Sequence, residues 1–442
     1  MFERRRLAWW LAASCIAGPV LAQTPDQQPW DAKYQVTYNW QRHGSFGAAY
    51  SGPNSLIAQR EKMYTFSATA HIGVRPWAGG ELYFNPELVQ GVPFSANLVG
   101  LAGFTNGEIT RAAGANPMVY RQRLFLRQTW GLGGGREAVE SDFNQLAGSV
   151  DRNRFVLTVG NFSVLDVFDD NAYAKDPRTQ FMNWSSWTYA AYDYAADSRG
   201  YGWGFAAEWY HGDWVLRFGR MTGPREPNGL PVDFALARHY GDQIEIDHGH
   251  TIAGQPGRVR VLGWRNRARL ASFADALALR QANPAADPMT LIAARNTDKV
   301  KYGVGINVEQ GLSESAGVFL RAMKADGRTE THAFTEADGS FAAGAVLKGR
   351  AWSRADDAVG LAFMRNTLSD DRRRYLEAGG ISFFIGDGAL NYRPEQIVEA
   401  YYSLGIARGT WITADVQHIR NPAYNADRGP VRVLAIRLHA EF

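Results

Sequence analysis

The chain has 442 residues, of which 45% are hydrophobic, 13% aromatic and 21% charged, with 46 Gly, 18 Pro, one Cys and a formal charge of +3. A disordered chain would be richer in charge, a disulfide scaffold needs more than one thiol, and a charge this near balance argues against a nucleic-acid binder. Abundant Gly and aromatic residues favour β-structure with many tight turns.

Arg4, Arg5 and Arg6 form a basic start, and Leu7 to Val20 is apolar over about the length of a signal-peptide core. Val20-Leu21-Ala22 supplies the small residues of a cleavage site, so residues 1–22 read as an export signal cut after Ala22. Its loss removes the sole cysteine, Cys15, and leaves a net charge of +1. The apolar run is too short to span a bilayer as a helix, and no later stretch approaches the required length. An exported chain of this kind is either soluble or a transmembrane β-barrel, whose strands hide their apolarity by alternation.

The alternation favours the barrel. Tyr34, Val36, Tyr38 and Trp40 oppose Gln35, Thr37, Asn39 and Gln41, and the run from Tyr64 to Val74 repeats the pattern. Tyr302 to Glu309 and the final run ending in Phe442 alternate in the same way. Such runs are longer than the strands of a soluble sandwich, and aromatics sit near their ends, as at a membrane interface. Short connections at 76–80, 313–315 and 354–357 alternate with long ones at 165–200, 221–241 and 270–298. Leu270 to Ala282 has helical composition and ends before Pro284. Residues 23–442 therefore read as one all-β domain, a transmembrane antiparallel barrel with long outer loops and short periplasmic turns. The arithmetic of about 26 residues per strand suits 16 strands and also allows 18.

Within such a barrel, Arg121, Arg123, Phe125, Arg127 and Thr129 alternate with Gln122, Leu124, Leu126 and Gln128, which predicts an arginine row facing the lumen. A guanidinium fork there can hydrogen-bond paired hydroxyls or repel cations. The segment 165–184 carries Asp166, Asp169, Asp170, Asn171, Arg178 and Trp184, and is expected to fold inward opposite the arginines, with Trp184 and Trp187 free to stack on a sugar ring. Glu81, Asn85 and Glu87 share one face, as do Gln243, Glu245 and Asp247, and Glu399, Tyr401 and Ser403. The broken alternation of arginines between Gly257 and Arg269 suggests a bulge. Gly131 to Gly135 lacks the Lys-Ser/Thr of a phosphate loop and reads as a turn. The pair His248 and His250 lacks a third metal ligand, the pairs His239–Asp242 and His418–Asp415 lack a nucleophile motif, and neither an enzyme nor a cofactor is expected.

Several stretches resemble the carbohydrate-selective porins of the OprB type: residues 50–55, 80–87, 159–171, 176–181, 390–395 and 421–430, among them Val159-Gly160-Asn161-Phe162 and Asn421-Pro422-Ala423-Tyr424-Asn425. The resemblance implies a 16-stranded barrel in the bacterial outer membrane that passes carbohydrate solutes by diffusion, in contact with outer-membrane lipid. It also implies that the strand ending in Phe442 is read by the barrel-assembly machinery. No nucleic-acid partner is implied, and trimer or monomer stays open. A general porin for small hydrophilic solutes and a secreted glycan-binding β-sandwich are the alternative readings.

Overall fold

A computed structural model describes residues 27–111, 114–285 and 290–442. The export segment at 1–22 lies outside the described residues. The strands are β1 (Trp30–His43), β2 (Glu61–Trp77), β3 (Gly80–Val92), β4 (Gly114–Gly131), β5 (Arg136–Val139), β6 (Gly148–Asp151), β7 (Arg154–Phe162), β8 (Gly202–His211) and β9 (Trp214–Met221). They continue as β10 (Tyr240–Ile252), β11 (Gln255–Arg269), β12 (Asp298–Gly311), β13 (Ala316–Ala325), β14 (Gly339–Lys348), β15 (Ala358–Thr367), β16 (Glu395–Ala407), β17 (Thr410–Arg420) and β18 (Val431–Glu441). Sixteen of them form one closed antiparallel barrel, and β5 and β6 form a separate hairpin. The barrel closes where β1 pairs with β18, from Gln35↔Glu441 to His43↔Val433.

The period-2 pattern sets the two faces. On β1 the polar Gln35, Thr37, Asn39, Gln41 and His43 are buried inside, while Tyr34 and Tyr38 are exposed outside. Outward Ile244, Ile246, Val304, Leu361, Ile436 and Leu438 form the apolar band. No helix among the described residues is long and apolar enough to cross a membrane. Connections at one end are mostly two to nine residues long, and all eight at the other end are long. The helix expected after Leu270 runs Phe273–Ala282, capped by Ser272. The run at Gly133, Gly134 and Gly135 is a turn, with φ of +82°, +83° and +87° that suit only glycine.

Two register expectations are corrected. β11 pairs with both neighbours without a register shift, so the bulge expected between Gly257 and Arg269 is absent. Arg258 and Arg260 face inward, and Arg265, Arg267 and Arg269 lie on the outer parity. The break lies in β4 instead: Asn85 pairs with Arg123, but Pro86 pairs with Arg121, leaving Gln122 as an extra residue. Pro86 has no N–H to give the ladder, and the partner strand bulges opposite it.

The apolar core sits inside the barrel. Loops from the long-connection end pack there around Phe104, Trp184, Trp187, Tyr192, Tyr194 and Phe334. Ion pairs fasten them to the polar inner wall. Lys301 on β12 meets Asp193 at 2.7 Å with both side chains buried, and Asp193 also accepts the backbone N–H groups of His332 and Ala333 at 2.7 and 2.8 Å. Arg321 on β13 meets Asp169 at 2.8 Å. Removing one partner of such a pair strands a buried charge, at a cost of about 3–5 kcal/mol. Lys301→Met is therefore expected to lower the thermal unfolding midpoint in detergent and to expose the 163–201 and 326–338 loops to protease before the barrel unfolds.

Candidate functional site

The connection 163–201 touches walls on opposite sides of the barrel, which places it across the lumen. Its residues bond Arg123 on β4, Glu245 on β10, Asn307 on β12, Glu399 on β16 and Arg437 on β18. A cavity of about 740 Å³ remains beside it. The lining runs from Arg199, Gly200 and Tyr201 at the long-loop end to Gln27, Ser149 and Arg154 at the turn end.

Charged side chains on the cavity wall and directly behind it are held in opposed pairs. Arg123 grips Asp166 through Nε and Nη2 at 2.7 and 2.6 Å. Arg127 lies 3.7 Å from Glu81 and donates to the Asn144 carbonyl at 2.9 Å. Glu81 also takes Arg75 at 2.6 Å. Lys175 pairs with Asp170 at 2.5 Å. Arg178 reaches Glu87 at 2.6 Å and Glu108 at 2.9 Å, so it ties the crossing loop both to β3 and to the loop at 93–111. Arg111 meets Glu108 at 2.5 Å, and the Arg111 and Arg123 guanidiniums lie 5.9 and 5.2 Å from the Tyr201 ring. Burial raises the Asp166 carboxyl, but the Arg123 guanidinium outweighs it and holds the group below the usual carboxylate range. The Lys175 ammonium holds Asp170 low in the same way. Both loop carboxylates are therefore ionised at neutral pH.

Of the residues singled out from sequence, Arg123, Arg127, Glu81, Asp166, Asp170, Asn171 and Arg178 border the cavity. Arg121 does not. The β4 bulge turns it to the outer face, where it is exposed with its guanidinium 5.0 Å from the Trp203 ring. Trp184 also borders the cavity, but its expected role in stacking is corrected: it is 2% exposed, packed by Trp187, Phe334, Tyr194 and Phe104, and offers no open ring face. Asp169 and Glu245 are buried fasteners rather than lining. Asp169 accepts from Arg321, Asn307 and Thr188, and its N–H donates to Glu245, which also takes Arg217 at 2.9 Å. Asn85 is buried against His71 at 2.7 Å. The imagined His418–Asp415 pair sits on opposite faces of β17, and His239 bonds Asp233 and Asp298 instead of Asp242.

The sequence reading missed Glu108, Arg111 and the connection 132–153. Glu108 and Arg111 occupy a single helical turn, too short to show a period. The 132–153 connection lies at the turn end, yet it carries the β5–β6 hairpin, and its tip enters the lumen. Phe143 packs on inward-facing His71 at 4.4 Å, and the Leu146 N–H donates to the Tyr83 hydroxyl at 3.1 Å. The tip thus narrows the turn end of the cavity. Replacing residues 140–147 by Asn-Gly is expected to raise single-channel conductance in planar bilayers; unchanged conductance would place the tip outside the conducting path.

The bulge makes a second prediction. In a Cys15→Ser background, a charged water-soluble thiol reagent is expected to shift the current through Arg123→Cys and leave that through Arg121→Cys unchanged.

Comparison with known proteins agrees with this architecture. The high-pH structure of Pseudomonas putida OprB is similar at 14% identity with a TM-score of 0.65, covering 94% of both chains. The low-pH structure of the same protein is similar at 10% identity with a TM-score of 0.50, covering 94% of this chain and 93% of that one. At these identities the likeness speaks for the fold. No curated protein sequence matches the chain. The family model described as carbohydrate-selective porin, OprB family, matches residues 54–442, and the chain, a β-barrel of outer-membrane type, belongs to that family.

Proposed function

We propose that the protein is a passive outer-membrane channel for mono- or oligosaccharides, exported by residues 1–22 and driven by the concentration gradient alone. The observation that carries this reading is the pairing of charges along the cavity. Arg123 with Asp166, Arg127 with Glu81, and Lys175 with Asp170 set hydrogen-bond donors beside acceptors. A neutral polyhydroxyl solute can exchange hydrogen bonds with both members of each pair as it moves. An ion gains from one member and is repelled by the other, so size and hydroxyl content, rather than net charge, govern passage. The buried Tyr201 ring backs the Arg111 and Arg123 guanidiniums and holds them at the cavity wall.

Liposome swelling with the refolded protein tests this reading. Glucose is expected to swell vesicles faster than an amino acid of similar size, with a disaccharide slower than glucose. Equal rates for sugar and amino acid would make the protein a general porin. Arg123→Ala should leave Asp166 uncompensated, shift ion preference toward cations and weaken the block of ion current by sugar.

A further inference from the structure

The outer surface at the long-loop end is not uniform. Along six adjacent strands, β15 through β18 and then β1 and β2, outward positions near the long loops carry five exposed cations, Arg365, Arg420, Arg432, Arg42 and Lys62, on every strand but β16, with the half-buried His418 among them. The register makes them neighbours. Arg365 faces Gln396, which faces Arg420; His418 faces Arg432; and Arg42 faces Lys62 directly. Their sequence neighbours Met364, Ile419, Val433, Gln41 and Met63 are buried on the inner side, so the basic groups point away from the lumen. At about 4.8 Å per strand the arc covers roughly 24 Å of the rim.

Among the described residues, none of these five cations forms an ion pair or a side-chain hydrogen bond. Elsewhere on the same rim such arginines are neutralised: Arg220 and Arg265 share Asp242 at 2.7 and 2.9 Å, and Arg267 lies 3.5 Å from Asp298. Like charges directly across a strand pair repel, so the arc carries a cost that a bound anion removes. Below it on the same strands lie exposed Phe363, Val398, Val416, Leu434 and Tyr38. The anion that fits therefore has hydrocarbon chains below its phosphates.

We propose that this arc binds the phosphates of an anionic lipid of the outer leaflet, with the lipid's acyl chains lying on the apolar band beneath. The site is separate from the lumen and does not depend on what the channel passes.

The test uses the folded full chain in neutral detergent, with bisphosphorylated lipid A as the probe. The variant R42Q/R420Q/R432Q is expected to bind it about a hundredfold more weakly, or about fivefold per arginine removed. R220Q/R265Q, which removes paired arginines, is expected to bind as the parent does. Dephosphorylated lipid A should bind parent and triple variant alike. Equal binding of lipid A by parent and triple variant would overturn the proposal, as would no loss on removing the phosphates. Competition by inorganic phosphate at the lipid's own concentration would also overturn it, by making the arc a free-anion site. A thermal unfolding midpoint in detergent equal to the parent's shows that the triple variant is folded; should it fail to fold, R420Q alone carries the same test.

Discussion

Closure of the sheet is the constraint on which the rest depends. A strand facing hydrocarbon has no water to satisfy an unpaired edge, so the first strand must find the last. The β1–β18 pairing does this over nine residue pairs, and it brings both ends of the ring to the turn side. Because the first strand begins and the last strand ends on that side, eight connections fall at the opposite end and seven at this one. Length added to the eight costs no ladder hydrogen bond. A sixteen-stranded ring leaves a wide interior that side chains alone do not fill. The long connections fill it, and the shape of what stays open is set by loops rather than by the wall.

The interior is assembled by charge as much as by apolar packing, and for a simple reason. Alternation gives the lipid the apolar residues and leaves the inner face polar, so a loop entering the lumen meets Arg321, Lys301, Glu245 and Glu399. It is held by answering them. Asp169 answers Arg321, Asp193 answers Lys301, and the backbone N–H groups of Asp169 and Met182 answer Glu245 and Glu399. Each contact costs desolvation, which the additional hydrogen bonds around it offset. The same economy that fixes the loops leaves the cavity lined with paired rather than free charges.

What the sequence makes legible follows from these two points. Strand alternation has a strict period and survives in one chain, so the barrel, the inward polar face and the helix after Ser272 are readable. Parity along a strand is readable only while the ladder is unbroken. Arg121 reads with Arg123 because nothing within β4 announces a bulge; the cause, Pro86, sits on the neighbouring strand. Loop contacts are less legible still. Asp166 was expected to face the arginines and does, because an acidic segment has few other ways to enter a basic wall. Trp184 and Glu245 read as sugar contacts because their types suit a sugar, whereas Trp184 packs into the lumen's aromatic core with almost no free surface and Glu245 fastens a loop. Residue type gives the chemistry a side chain can offer, and only the fold says whether that chemistry is left open to solvent.

The outer surface carries an asymmetry of its own. At the turn end the exposed outward residues include Trp30, Trp77, Trp130, Trp209 and Trp214. Indoles sit well where hydrocarbon meets neutral headgroups. At the long-loop end exposed aromatics such as Tyr302 share the rim with guanidinium and ammonium groups, some paired with aspartate and some not. Strand length does not require this difference, because the same strands reach both ends. Nor does the lumen, which these residues do not touch. Rims this different fit a membrane whose two leaflets differ, with the more anionic leaflet at the end where the loops emerge.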